Sequence, residues 1–186
     1  MAASGASRLD PDAWLDAGAV ALAESGPEAL KAEPLARRLG TTKGSFYWHF
    51  ADVPTFHAAL LARWEDTARA GIAAAEGSQD TAVSRLRRFG QEIAAATSAG
   101  DGAPALEPAI RAWARGDANA RATVHRVDEL RLLHLQALLA RIGISNPEMA
   151  RIIYASSIGM MDLAGTSTEE RAAALGSLVD LVLALR

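Results

Sequence analysis

At 186 residues, half of them apolar, the chain is long enough for one ordinary domain, or a small one joined to a larger one, with a sizeable core. The absence of cysteine excludes disulfides, thiolate zinc sites and a cysteine nucleophile. A net charge of −3 argues against indiscriminate affinity for nucleic acid. Met1–Leu9 is small and polar, without the apolar stretch of a leader, and no run of about 18 apolar residues occurs, so a cytoplasmic protein is expected. Ala, Leu and Arg dominate and no β-branched alternation persists, which predicts an all-α fold.

Asp10-Pro11 opens the first helix: the aspartate caps and proline fits the first turn. The helix reaches about Ser25, stops at Gly26-Pro27, and turns Trp14, Ala17, Gly18, Ala21 and Leu22 inward. A second helix spans about Ala32 to Leu39, with Pro34 in its first turn, where no intrahelical donor is lost. Leu35, Ala36 and Leu39 share its inner side. Gly40 ends it, at a place where a left-handed backbone costs little only for glycine.

The stretch Thr41–Phe50 follows. Phe46, Tyr47, Trp48, His49 and Phe50 put four aromatic rings and an imidazole in consecutive positions of an aromatic-poor chain. On a helix Phe46 and Phe50 share one face, while Thr42, Lys43, Ser45, Tyr47, Trp48 and His49 fill the remaining arc. An apolar helix, a glycine and a second short helix form the helix-turn-helix pattern, with the second helix placed to enter a major groove. Between Lys31 and Phe50 four cations (Lys31, Arg37, Arg38, Lys43) face one acid, Glu33. The acids of the first helix (Asp10, Asp12, Asp16, Glu24) lie outside this window. A small basic patch on an acidic chain suits selective reading of DNA better than nonspecific coating.

From about Trp14 to Leu61 the chain resembles the N-terminal DNA-binding domain of the TetR family of bacterial transcription regulators. Gly26, Ala29-Leu30, Leu35-Ala36, Leu39-Gly40, the run Lys43–Phe50 with its Tyr47-Trp48-His49-Phe50 ending, and Leu60 carry the resemblance. It implies that Tyr47 and His49 touch phosphates. Thr42, Lys43 and Ser45 are placed for base edges or the flanking backbone, Gly44 for close approach to the duplex, and Trp48 for the sugar-phosphate wall. The sequence departs from the family at four positions. Lys31 replaces the usual hydroxyl cap, and Glu33 stands where a basic or polar contact is common, as an acid able to accept from a cytosine amino group or simply to face solvent. Ala51 and Val53 stand where Lys or Arg commonly grips phosphate, which should weaken binding and flatten its salt dependence.

The fourth helix starts at Asp52 with Pro54 in its first turn and runs through Phe56, Leu60, Leu61 and Trp64 to about Ala75. By the resemblance it connects a DNA-binding domain, residues 1–52, to a helical sensor and dimerisation domain, residues 53–186. Glu76–Gln79 reads as a loop. A helix from about Thr81 to Thr97 turns Val83, Leu86, Phe89, Ile93 and Ala96 inward, and Ser98–Pro104 is a second loop. Leu106–Ala114 is a short helix ending near Gly116; its string Glu107-Pro108-Ala109-Ile110-Arg111-Ala112-Trp113-Ala114 resembles a subset of the same family. Asp117 caps a long helix to about Ile142. Its leucines (Leu130, Leu132, Leu133, Leu135, Leu138, Leu139) cover nearly the whole circumference, which predicts a central position. Ser145–Glu148 opens a helix to about Ala164, and Ser167-x-x-Glu170 is a capping box for the last one. There Leu175, Leu178, Val182 and Leu185 make a coiled-coil-like seam, with Leu181 and Leu183 off it, so one apolar face serves the domain and the other a second copy.

No catalytic constellation emerges. Phosphate-loop and dinucleotide signatures are missing, as is any Glu-x-x-His pair for a di-iron bundle. His125 and Glu129 read as a solvated helical pair, and nothing in spacing supports a Ser157–His134–Asp162 triad. No enzyme, metal or cofactor is expected. Phe89, Leu106, Trp113, His134, Tyr154, Met160 and Met161 are candidates for an adaptable apolar pocket with one polar anchor. The expected protein is a homodimeric repressor on a palindromic operator, and the resemblance implies its release by a small, mostly apolar effector. The alternative is a helical ligand- or partner-binding protein whose DNA contacts have weakened.

Overall fold

The computed structural model describes residues 10–95 and 106–184, and among them every regular element is helical. The loop expected at Ser98–Pro104, the opening nine residues, and the inward roles of Ile93, Ala96 and Leu185 lie outside the described residues or side chains.

Side-chain caps fix three of the first four helices; α2 starts at Lys31 without one. In α1 (Pro11–Ser25) Asp10 accepts from the Ala13 N–H at 2.8 Å. Gly26 stops the helix at a φ of +76°, and a single 3-10 turn, Pro27–Ala29, leads to α2 (Ala32–Arg38). Gly40 takes a φ of +62°, which turns the Thr41 N–H back onto the Ala36 carbonyl at 2.9 Å and launches α3 (Lys43–His49). Phe50 lies just past that helix in extended backbone, not on it, yet its ring remains buried 5.4 Å from Phe46. Asp52 caps α4 (Val53–Gly77) by accepting from Thr55 N–H at 2.7 Å, and Thr55, through its side chain first and this N–H second, holds the carboxyl below the usual range.

The α4 helix runs two residues into the loop expected at Glu76–Gln79, and Ser78 and Gln79 lie outside it as expected. Glu76 and Gly77 continue it, and the helix closes at Ser78, whose N–H and hydroxyl both bond the Ala75 carbonyl. The alanines at 73–75 favour propagation, and Gly77 keeps a helical φ. There follow α5 (Ala82–Ala95), α6 (Leu106–Ala114), α7 (Ala118–Arg141), α8 (Pro147–Asp162) and α9 (Thr168–Ala184). The predicted capping box of α9 forms in both directions: Glu170 accepts from Ser167 N–H at 2.7 Å and Ser167 from Glu170 N–H at 3.2 Å.

Two apolar clusters result. The first joins Trp14, Leu22, Leu35, Phe46, Phe56 and Trp64 of α1–α4 to Ile110 and Trp113 of α6 and Val127 of α7. The second joins Leu86, Phe89, Leu135, Leu139, Ile153, Tyr154, Val179 and Val182 from α5, α7, α8 and α9. α7 enters both and packs on α4, α5, α6 and α8, so it is central as expected. Its circumference is not uniformly apolar in use: Leu133 is 65% exposed, while Arg131 and His134 are buried. In α9 the buried row is Leu175, Val179 and Val182, with Leu178 half-buried. Leu181 is 60% exposed, but Leu183 packs against the second cluster instead of lying free.

Candidate nucleic-acid interface and sensor clefts

α3 is anchored by one ring. Phe46 is fully buried, edge-on to Trp14 at 5.3 Å and 5.4 Å from Phe56. A fixed inner side turns the rest outward. Tyr47 is 46% exposed and Trp48 81%, whereas burying such rings is the ordinary outcome. Lys43 lies over the Tyr47 ring at 5.9 Å, and Thr42 caps the helix by accepting from Ser45 N–H at 3.3 Å. Thr42, Lys43 and Gly44 are exposed, and Ser45 and His49 are half-buried at the edge. A Cβ on Gly44 would meet nothing closer than the Thr42 hydroxyl at 3.6 Å. Packing within the chain therefore does not demand that glycine.

The basic patch is more neutral than the sequence window indicated. Arg38 pairs with Glu24, which α1 brings across from outside the window. Lys31 pairs with Glu28 at 2.8 Å, and Arg37 with Glu33 at 3.4 Å. Glu33 is thus exposed on α2 beside a cation of its own helix. Among the cations of that window Lys43 alone has no acidic partner in the described residues. Exposed pairs of this kind are weak, so a phosphate can replace the acid. Val53 has a structural reason to be apolar: it packs against the first cluster, while Ala51 is exposed.

The seven sensor candidates do not share one cavity. Phe89 and His134 meet in the second cluster, ring centres 5.9 Å apart. His134 Nδ1 is buried 3.4 Å from a Glu76 carboxylate oxygen, without the alignment of a hydrogen bond. Leu106 and Trp113 belong to the first cluster. Trp113 stands edge-on to His57 at 5.1 Å, and His57 Nε2 donates to the Leu30 carbonyl at 3.0 Å. That pair walls a cleft of about 440 Å³ with Pro27, Leu30 and Val53. Met160 and Met161 are half-buried on α8, and Met161 lines a different cleft, of about 480 Å³, between α6, α7 and α8. His125 and Glu129 form an exposed pair at 3.4 Å, and Ser157 donates to the Tyr154 carbonyl at 2.6 Å.

Tyr154 belongs to a buried charged network that sequence reasoning did not assemble. Glu107 of α6, 2% exposed, accepts from Arg131 at 2.5 and 2.9 Å and from Arg111 at 2.9 Å. Arg111 also donates to Asp128 at 2.7 Å and to the Tyr154 hydroxyl at 2.9 Å, and that hydroxyl donates to Asp128 at 2.7 Å. Arg131 lies over the Trp64 ring of α4 at 5.8 Å. Two carboxylates thus answer two guanidiniums. Burial alone would push the Glu107 carboxyl up, but Arg131 and Arg111 reverse this and hold it below the usual range. Burial raises the Tyr154 phenol to about 12. The visible signal was Glu107 and Arg111 at i, i+4; an arginine among leucines gave none.

Residues 15–52 match the family described as bacterial regulatory proteins, tetR family. That segment spans α1 to α3 and carries the match; the rest of the chain lies outside it. No curated protein matches the sequence. Among solved structures, it is similar to a TetR-family transcriptional regulator from Rhodococcus sp., 24% identical with a TM-score of 0.75 over 93% of this chain and 98% of that one. A TetR-family regulator from Streptomyces coelicolor is 20% identical with a TM-score of 0.76, over 93% and 87%. SmeT, the repressor of the multidrug efflux pump SmeDEF of Stenotrophomonas maltophilia, is 20% identical with a TM-score of 0.67, over 95% and 90%. At these identities the likeness establishes the fold, an N-terminal helix-turn-helix followed by a helical C-terminal part. The match over residues 15–52 supports a DNA-binding regulator. No helix among the described residues is long and apolar enough to cross a membrane.

Proposed function

We propose that the protein is a repressor that seats on a palindromic operator as a homodimer and is released by a small, largely apolar effector, with residues 1–52 reading DNA and 53–186 sensing and pairing. One observation carries the DNA reading: α3, pinned from within by Phe46, presents Lys43, Tyr47 and Trp48 to solvent. Exposed rings with a cation over one of them serve no purpose inside the chain and suit a sugar-phosphate wall. Thr42, Gly44, Ser45 and His49 complete the surface, and Glu33 borders it from α2. One such helix reads only a few base pairs, so selective binding calls for two copies about one helical turn apart.

The pairing surface is read from α8 and α9. Ile152, Ala155 and Gly159 follow one exposed stripe of α8 toward exposed Leu163, and Ala174, Ser177 and Leu181 follow one on α9. Ser177 returns its hydroxyl to the Ala173 carbonyl at 3.0 Å, and a Cβ on Gly159 would meet nothing within 4 Å. Small residues beside exposed leucine and isoleucine suit close approach by a second copy.

The test is selection of bound duplexes from random DNA, followed by a salt titration of the winner. A palindrome with half-sites about one turn apart is expected. Absence of enrichment at low salt supports the alternative of a helical binding protein with weakened DNA contacts, which the paired cations Arg37 and Arg38 and the apolar Ala51 and Val53 favour.

A further inference from the structure

The cleft between α6, α7 and α8 divides its chemistry by helix. Pro108, Ala112, Val124, Ile158 and Met161 give it apolar walls, while Arg111 of α6, Arg115 in the turn after it and Asp162 of α8 supply charge. Arg111 and Arg115 are four residues apart, Arg115 just past the end of α6, and both line the cleft. Arg111 is committed to the buried network on one side only. Its Nε and Nη2 serve Glu107, Asp128 and Tyr154, but Nη1, which carries two hydrogens, makes a single bond, 3.2 Å to Asp128. The Arg115 guanidinium bonds no described residue; its backbone N–H donates to the Ala112 carbonyl at 3.2 Å and its carbonyl accepts from Arg121 at 3.1 Å. Uncommitted guanidinium donors beside apolar walls are recognition chemistry for an anionic head on an apolar body. Asp162, exposed at the far end of α8, repels that head toward α6.

We propose that this cleft binds an amphipathic monoanion, a carboxylate on an apolar chain. Its head lies on Arg115 and the spare N–H of Arg111, and its body against Ile158 and Met161. This rests on the effector reading above and names the effector's class. It also gives the occupant a route to the DNA-reading helices. An incoming carboxylate competes for Arg111 with Asp128, whose side chain is 29% exposed, whereas Glu107 is sealed by both arginines. Loss of the Asp128 bond loosens α7 from α6, and α6 packs directly on α1 and, through Trp113, on His57 of α4.

Octanoate, 1-octanol and octylamine share one body and differ in the head. Each is titrated calorimetrically into the full-length protein and into Arg115→Gln, a surface change whose folding is checked by thermal unfolding. Octanoate is expected to bind wild type about tenfold or more tighter than the other two, and Arg115→Gln to erase that preference without altering the response to octanol. Tighter binding of octylamine, equal binding of all three, no binding of octanoate, or a preference that survives Arg115→Gln overturns the proposal. A parallel operator-binding titration separates it from the effector reading. Octanoate that binds with the expected preference but leaves operator affinity unchanged upholds the site's chemistry and rejects its role in release.

Discussion

Glu24, at the end of α1, is ion-paired to Arg38, at the end of α2, fourteen residues further along the chain. The pair draws a cation away from the face of α2 and α3 proposed to meet DNA. Both side chains are partly exposed, so the pair contributes little to stability. Glu24→Gln should therefore leave unfolding nearly unchanged and release Arg38 to a phosphate. Operator affinity should rise, and the slope of log K against log salt should steepen by about 0.9. Fluorescence anisotropy across a potassium chloride series measures both. An unchanged slope would mean that Arg38 faces no phosphate.

Tyr47 meets the edge of Phe46 at 5.3 Å, has Lys43 over its ring at 5.9 Å and is 46% exposed. Tyr47→Ala should cost operator affinity about tenfold or more, in line with loss of a stacked or phosphate-bonded ring. Sedimentation and melting should match the parent protein. A variant that binds operator normally would place the docking face elsewhere.

Gly18 faces Phe56 so closely that an added Cβ would stand 2.5 Å from Cζ of that ring. Phe56 is fully buried and wedged between Phe46 and Phe50, so it has nowhere to swing. Gly18→Ala gains about 1 kcal/mol of helix propensity but overpacks the core at a cost of roughly 1–3 kcal/mol. A net loss is expected in urea denaturation, accompanied by weaker operator binding because Phe56 positions Phe46. A more stable variant would show that the ring can yield.

Glu107 is the hub of the buried network. Glu107→Gln leaves Arg131 and Arg111 without their shared counter-charge and should cost about 3–5 kcal/mol in chemical denaturation. Because the folded carboxyl titrates below its ordinary 4.5, its contribution is fully present above that value. It is lost as pH falls through the lower folded one. Wild type should thus lose stability on acidification below about that pH, and the variant should lose less over the same window. Parallel acid profiles of the two proteins would refute this assignment.

Local chemistry was legible in the sequence, and juxtaposition was not. Asp10, Asp52 and Asp117 each announce a helix start and each caps one, because a cap is decided within four residues. Gly40 is legible for the same reason. The Glu24–Arg38 pair is decided by how α1 lies against α2, so counting charges in a window overstated the basic patch. Leu133 and Arg131 show the limit most sharply. Hydropathy puts the leucine inside and the arginine out, and the structure does the reverse, because Glu107 arrives from another helix to neutralise Arg131. Size and softness, which mark the seven pocket candidates, are properties that core residues share, and the fold scatters the seven instead of gathering them round one cavity.

The first apolar cluster has a consequence for protein engineering. It runs without a break from Trp14 through Phe56 and Leu60 to Ile110, Trp113 and Val127. The reading head is therefore not a detachable cassette. A cut at residue 52 strips Phe56 from the notch at Gly18 and bares Phe46, the ring that orients α3. Grafting this head onto another regulator requires the first two turns of α4 and a matching α6 surface to travel with it, as one transplanted block.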